Sequence, residues 1–152
     1  MKPPAMTVRA ATAADAPALH RLIVGLAEHH DQRPFVRATI DDLRRDGFGP
    51  TPSFGAVLAF VGDDAIGYAS YTWRYSIWLA ARYLDLDDLY VAEAARGRGA
   101  GLALMHAVRA VAVSHGLARV RWEVEPDNHD AIRFYQRLGA RLRSKGVFTW
   151  DV

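Results

Sequence analysis

The sequence predicts an α/β domain with a mixed, mostly antiparallel sheet flanked by helices, and three observations carry that prediction. Two β-rich runs, Phe54 to Val61 and Ile66 to Tyr75, flank Gly62-Asp63-Asp64, which is a hairpin signal with no room for a crossover helix. Leu104, Met105, Val108, Val111 and Ala112 recur at three- and four-residue spacing, the pattern of one buried helix face. Between these stretches, the glycine-rich turn 96–101 sits where an apolar strand-like run (Leu84, Leu86, Leu89, Val91) passes into that helix. At 152 residues the chain reads as one domain, 1–152, with residues 1–6 frayed. That length buries roughly 70% of the unfolded surface without a disulfide or metal staple.

In order, Thr7 to Ala10 reads as a short strand, and Thr12 with Asp15 forms a capping pair opening a helix. Leu19, Leu22, Ile23 and Leu26 mark the buried face of that helix, which closes at His29-His30. Neighbours on a helix diverge by about 100°, so the two histidines cannot share a metal as an i,i+4 pair does, and no metal is expected. Ile40 to Arg45 is a short helix ended by Asp46-Gly47-Phe48-Gly49 and two prolines, Pro50 and Pro52. Trp73, Tyr75 and Trp78 cluster near the far end of the hairpin, where packing is their first explanation.

The apolar alternation from Tyr83 to Val91 changes phase. Leu84 and Leu86 occupy even positions and Leu89 and Val91 odd ones, with the slip at Asp87-Asp88. One extra residue in a strand is what a β-bulge supplies. If Asp88 and Tyr90 instead continue the even face, there is no phase change. The final third reads helix, strand, helix, strand, strand. Val120, Trp122 and Val124 alternate with Arg121, Glu123 and Glu125. Ala131, Phe134, Tyr135 and Leu138 mark the next helix, with Asn128 near its start and Gly139 past its end, and Val147 to Trp150 is the last strand.

Composition narrows the function classes. The absence of cysteine removes disulfides, thiolate metal sites and a cysteine nucleophile, and fits a reducing cytoplasm. With 19 basic and 17 acidic residues the net charge is +2, too small a field to argue for nucleic acid. The first residues carry no apolar core of a secretory signal, and no run is long enough to span a bilayer, so a soluble cytoplasmic protein is expected.

Arg96-Gly97-Arg98-Gly99-Ala100-Gly101 reads as a diphosphate cradle. At a helix start the first N–H groups lack internal partners and the dipole is positive, so an anion docks there. Glycines let the backbone take positive φ and approach the phosphate, while Arg96 and Arg98 add forked donors. A P-loop requires Lys-Ser/Thr after the last glycine, where this chain has Leu102-Ala103. A dinucleotide fingerprint belongs in an early βαβ unit, whereas this turn lies two-thirds along the chain.

Arg-x-x-Gly-x-Gly after a strand, then helix, strand and an Asn-x-x-Ala-x-x-Phe-Tyr-x-x-x-Gly-Ala run (Asn128, Ala131, Phe134, Tyr135, Gly139, Ala140), resembles the GCN5-related N-acetyltransferase (GNAT) family. Arg9 to Asp15, Arg21-Leu22-Ile23, Asp46 to Gly49 and Tyr83 to Val91 are similar to its diamine (spermidine/spermine) and thialysine acetyltransferase branch. The resemblance implies a sheet of about seven strands, about four helices and a bulged central strand. It implies transfer of acetyl from acetyl-CoA to a primary amine of a small polyamine or thialysine-like acceptor by direct attack, without a metal, in a homodimer. An alkyl amine has a pKa near 10.4, so about one molecule in a few thousand is unprotonated at pH 7 and a proton acceptor is needed.

By the resemblance, Asp87 and Asp88 fill that role, with Asp87 standing where the branch has Glu. Tyr135 is the general acid toward the leaving thiolate, and a backbone N–H of the bulged strand faces the developing oxyanion. Leu89, Tyr90 and Val91 would line pantetheine. Arg96, Gly97, Arg98, Gly99, Ala100, Gly101 and Leu102 would hold the diphosphate, and Asn128, Ala131 and Arg137 would lie beside the coenzyme arm. Glu28, His29, His30, Trp78 and Trp122 are the candidate acceptor contacts, His29 and His30 replacing an aromatic and an acidic residue of the branch. A protein lysine or N-terminal acetyltransferase is the alternative enzyme, and a non-catalytic acyl-CoA-binding regulatory module the alternative of another class.

Overall fold

The computed structural model describes Lys2 and residues 4–152. Met1 and Pro3, in the stretch expected to fray, lie outside the described residues. Strand β1 (Met6–Ala10) starts one residue earlier than the sequence suggests. The described residues fall into two compact units, one ending at Arg121 and the other Trp122–Val152.

The first unit opens with a capped helix. Asp15 Oδ2 accepts from the Thr12 N–H (2.7 Å) and the Thr12 hydroxyl (3.1 Å), and the Arg9 guanidinium donates to both carboxylate oxygens at 2.7 and 3.0 Å. One turn of 3-10 helix then leads into α1 (Ala16–His29), whose Ala16, Leu19 and Leu22 are buried. The short helix α2 (Ile40–Gly47) carries a reciprocal cap: the Thr39 N–H and hydroxyl donate to Asp42, and the Asp42 N–H donates back to the Thr39 hydroxyl.

Four strands, β1, β2 (Gly55–Val61), β3 (Asp64–Ser76) and β4 (Ala81–Val91), form an antiparallel sheet in chain order. A short strand, β5 (Val120–Arg121), adds in parallel to β4 after helix α3 (Ala100–Ser114). Leu19, Leu22, Leu43, Leu58, Phe60 and Tyr68 form one core beneath α1 and α2. On the other face α3 buries Leu104 and Val108. Gly67 faces α3, because a β-carbon there would lie 3.3 Å from Leu104 Cδ1, and strand alternation then places Ala69 and Tyr71 on that face too.

The β3–β4 register decides the phase question. Val91 lies opposite Gly67 and Leu89 opposite Ala69. The register then shifts between Ser70 and Tyr71, so that Leu86 lies opposite Tyr71 and Leu84 opposite Trp73. All four apolar residues of β4 therefore share the α3 face, and Asp87 is the extra residue of a bulge. Asp88 and Tyr90, opposite Ser70 and Tyr68, turn to the α1 face.

Two expectations are corrected. The sheet has five strands among the described residues, not about seven. Pairing after α3 stops at Arg121 rather than Glu125, and residues 138–152 form no strand, leaving Val147, Phe148 and Trp150 exposed. Apolar alternation yields a strand only where backbone N–H and C=O groups find a ladder partner, and the Trp122–Val152 unit contains no strand among the described residues. That unit holds helix α4 (His129–Arg137), followed by Gly139 at φ 89°. No helix among the described residues is long and apolar enough to cross a membrane.

The Asp15 cluster gives a stability prediction. The Arg9 guanidinium, together with the Thr12 donors, holds the Asp15 carboxyl at about 2, below its ordinary 3.8. A lowered carboxyl pKa stabilises the fold above 3.8, and that contribution disappears as pH falls through about 2. Because Arg9 is half exposed, we discount the ion pair and expect Asp15→Asn to cost about 1–2 kcal/mol at pH 7. Urea unfolding measures this, and the gap between wild type and variant should close as pH drops from 4 toward 2.

Candidate active site

Strand β4 ends in a turn built to present backbone N–H groups. After one turn of 3-10 helix, Gly97 (φ 76°) and Gly99 (φ 81°) take left-handed conformations, and Gly99 is the N-cap of α3 with no side-chain cap. A β-carbon at either glycine would meet nothing within 4 Å, so the backbone angle, not crowding, demands glycine. Gly101 differs from its reading as a turn residue: the helix begins at Ala100, and Gly101 sits in its first turn with helical backbone. Ala100 is buried and anchors the helix start, while Leu102 is exposed beside the open N–H groups. Arg96 donates from Nε to the Val91 carbonyl at 2.9 Å, and its guanidinium carbon lies 5.8 Å from the Tyr90 ring centroid. Among the described residues its Nη atoms have no hydrogen-bond acceptor, so they remain available for an anion, as does the exposed Arg98. The residues present therefore fit a diphosphate: unpaired helix-start N–H groups, a glycine turn without side chains, and two guanidinium groups.

The strand leading to this turn carries three aspartates in three environments. Asp85 is paired with Arg74 (3.2 Å) and Arg121 (3.5 Å). Asp87, the bulged residue, is exposed, yet its carboxyl loses part of its hydration and lies near Asp85 and Asp88, so its pKa is raised despite Arg74. Asp88 is half-buried on the α1 face, and its Oδ2 accepts from the Tyr68 hydroxyl at 3.2 Å and the Ser70 hydroxyl at 3.4 Å. Burial raises the Asp88 pKa, while the two hydroxyls and then the charge of His30 oppose that rise.

His30 follows the last residue of α1, so its effect on Asp88 brings the end of α1 to the bulge. His29 and His30 are exposed and meet edge to face, ring centroids 5.2 Å apart. Glu28, Arg33 and Tyr90 line an open groove of about 540 Å³ along α1. Leu89 and Val91 lie on the opposite face of β4, whose ladder to β5 is confined to Leu84 and Asp85. Trp78 is not brought to the bulge within this chain. It stands 98% exposed at the β3–β4 hairpin tip, roughly 20 Å along the strand from Asp88.

The second unit gathers Trp122 and Tyr135 in an edge-to-face contact, centroids 5.1 Å apart, with Phe134 5.3 Å from Tyr135. Burial pushes the Tyr135 phenol up, so it stays protonated at neutral pH and retains a proton to donate. Asn128 is the N-cap of α4, its Oδ1 accepting from the Ala131 N–H at 3.2 Å, and Arg137 is exposed in the last turn. The two residues that sequence reading missed are Tyr68 and Ser70. In an apolar strand they pass as core, and the available signal was two hydroxyls on one face of a strand opposite an aspartate.

The Acetyltransferase (GNAT) family model matches residues 17–140. The thialysine N-epsilon-acetyltransferase of Bos taurus is 33% identical over 142 residues, covering 88% of this chain and 83% of that protein. The spermidine/spermine N(1)-acetyltransferase-like protein 1 of Homo sapiens is 31% identical over 140 residues, covering 88% of this chain and 20% of that protein. In fold, the chain superposes on the aminoglycoside N-acetyltransferase AAC(6')-Iy in complex with CoA with a TM-score of 0.80 at 18% identity, covering 99% of this chain and 97% of that one. A family match of this extent establishes membership: the chain belongs to the acetyltransferase (GNAT) family and is an acetyl-CoA-dependent N-acetyltransferase.

Proposed function

We propose that this N-acetyltransferase acts on the primary amine of a small acceptor of the thialysine or polyamine type, with Asp88 taking the amine proton and Tyr135 supplying one to the departing sulfur. The observation that carries the reading is the single strand β4: it offers an acidic, half-buried bulge bordered by α1 and, at its end, a glycine turn suited to a diphosphate. The thialysine and spermidine/spermine relatives support the acceptor class by their names. Acetyl-CoA supplies an activated thioester carbonyl when bound. Toward it, Gly97, Gly99 and the first N–H groups of α3 hold the diphosphate, with Arg96 and Arg98 adding charge. Exposed backbone of Leu89 and Val91 lines pantetheine, with Tyr90 on the reverse face of the strand. Asn128, Ala131 and Arg137 flank the coenzyme arm.

Asp88 and Asp87 attract the ammonium group, and Glu28, His29 and His30 border its approach. Asp88 accepts a proton, which leaves the nitrogen lone pair free to form the C–N bond while the C–S bond breaks. Tyr135 protonates the sulfur, and the second nitrogen proton passes to solvent. Trp122 fixes the Tyr135 ring by its edge-to-face contact. The homodimer implied by the family resemblance belongs to this proposal, as does a cytoplasmic location. Sedimentation equilibrium tests the dimer.

Release of free thiol from acetyl-CoA across thialysine, spermidine, spermine, short diamines, aminoglycosides and lysine peptides tests the acceptor. Turnover on thialysine or a diamine is expected. A preference for lysine peptides would move the assignment to protein acetylation, and coenzyme binding without turnover would favour a regulatory module. Tyr135→Phe should lower kcat on order 10²-fold while leaving the KM for acetyl-CoA within about twofold. Gly99→Ala forces a β-carbon into a left-handed conformation worth about 1–2 kcal/mol, so the KM for acetyl-CoA should rise roughly tenfold with kcat nearly unchanged.

A further inference from the structure

Tyr68 and Ser70 are polar groups on a buried strand that the reaction as described does not use. Tyr68 is fully buried in the core under α1, and Ser70 is 9% exposed. Ser70 lies directly across the ladder from Asp88, and Tyr68 two pairs further along on the same face, opposite Tyr90. Both hydroxyls donate to the same oxygen, Asp88 Oδ2, at 3.4 and 3.2 Å, whereas Oδ1 accepts no hydrogen bond from the described residues. The bulge at Asp87 makes this convergence possible, since it turns the Asp88 side chain onto the face that carries Tyr68 and Ser70.

We propose that Tyr68 and Ser70 are positioning residues that grip Asp88 by Oδ2, keep the carboxylate ionised in a half-buried site, and present Oδ1 to the acceptor ammonium. The proposal rests on the reading of Asp88 as proton acceptor. In the transfer, an N–H bond breaks, the proton forms an O–H bond at Oδ1, and the electron pair stays on nitrogen. A carboxylate held through one oxygen cannot rotate away from the nitrogen, and two donors stabilise its charge where water is scarce. Tyr68 suits this task. Burial first, and the Asp88 charge second, push its phenol far above the physiological range, so it remains a donor at every working pH.

The groups facing Asp88 are Tyr68 and Ser70 from β3, Asp87 and Tyr90 from its own strand, and His30 at the end of α1. Among the described residues, only the two hydroxyls donate to the carboxylate. Removing a donor disfavours the charged form, so the Asp88 pKa must rise and the acid limb of the pH profile must move to higher pH.

The test measures Asp88 directly by 13C carboxyl chemical-shift titration in wild type, Tyr68→Phe, Ser70→Ala and the double variant, with urea unfolding to confirm that each is folded. We expect the double variant to titrate about one pH unit higher, a tenfold gain in proton affinity. Ser70→Ala alone should show part of that shift even if Tyr68→Phe fails to fold. An unshifted titration in a folded variant overturns the proposal. With the amine turned over fastest in the acceptor panel, the acid limb of kcat/KM should move by the same amount, and a loss of rate without that movement also overturns it. Asp88→Asn separates the two levels: near wild-type turnover there removes Asp88 as the base, whatever the titrations of the hydroxyl variants give.

Discussion

The structure depends on one extra residue. Side chains alternate along a strand, so a single insertion inverts every position beyond it. Without Asp87, Leu89 and Val91 would face α1, and Asp88 with Tyr90 would be driven into the apolar layer under α3. The bulge prevents both outcomes at once. It keeps Leu84, Leu86, Leu89 and Val91 against α3 and delivers Asp88 to the opposite face, where α1 ends. The glycine turn begins five residues after Val91, so the positions proposed for proton transfer and for the coenzyme phosphates are both set by the same strand.

Charge along that strand is arranged by partner rather than by sum. A net charge of +2 says little, since the chemistry lies in how three carboxylates within four residues are treated. Asp85 receives two guanidinium groups and serves the sheet. Asp88 receives two neutral hydroxyls instead. A guanidinium at Asp88 would hold the carboxylate too tightly to take a proton and would repel an ammonium acceptor. Hydroxyl donors stabilise the anion without adding positive charge, which leaves the site attractive to a cation. His30, at the end of α1, acts on Asp88 through its charge rather than through a hydrogen bond.

Much of this was legible in the sequence because it follows from local rules. The phase change at Asp87-Asp88 reports the bulge, Thr12 with Asp15 reports the first cap, and the glycine turn between strand and helix reports the left-handed Gly97 and Gly99. What was not legible depended on partners distant in the chain. Tyr68 and Ser70 acquire their meaning only from the register that sets them opposite Asp88. Val147 to Trp150 alternates well but has no strand in its own unit to pair with, so its pattern does not become a strand. Trp78 reads as part of an aromatic cluster, yet the length of the hairpin carries it away from the bulge.

Asp15 and Asp88 show how the fold supports its own chemistry. The Asp15 carboxyl is held below its ordinary pKa by the Arg9 guanidinium, so its ionisation stabilises the folded chain at neutral pH. Asp88 is shifted the other way, chiefly by burial. An acid with a raised folded-state pKa favours the fold only while protonated, and that contribution is lost as pH rises through the raised value. The ionised form of Asp88 therefore works against stability, and the Tyr68 and Ser70 hydroxyls recover part of the loss. The hydroxyls need Asp88 as well: a fully buried phenol without an acceptor is costly, and Asp88 supplies one. Each side of this contact makes the other tolerable, so the burial that raises the proton affinity of Asp88 can persist in a stable sheet.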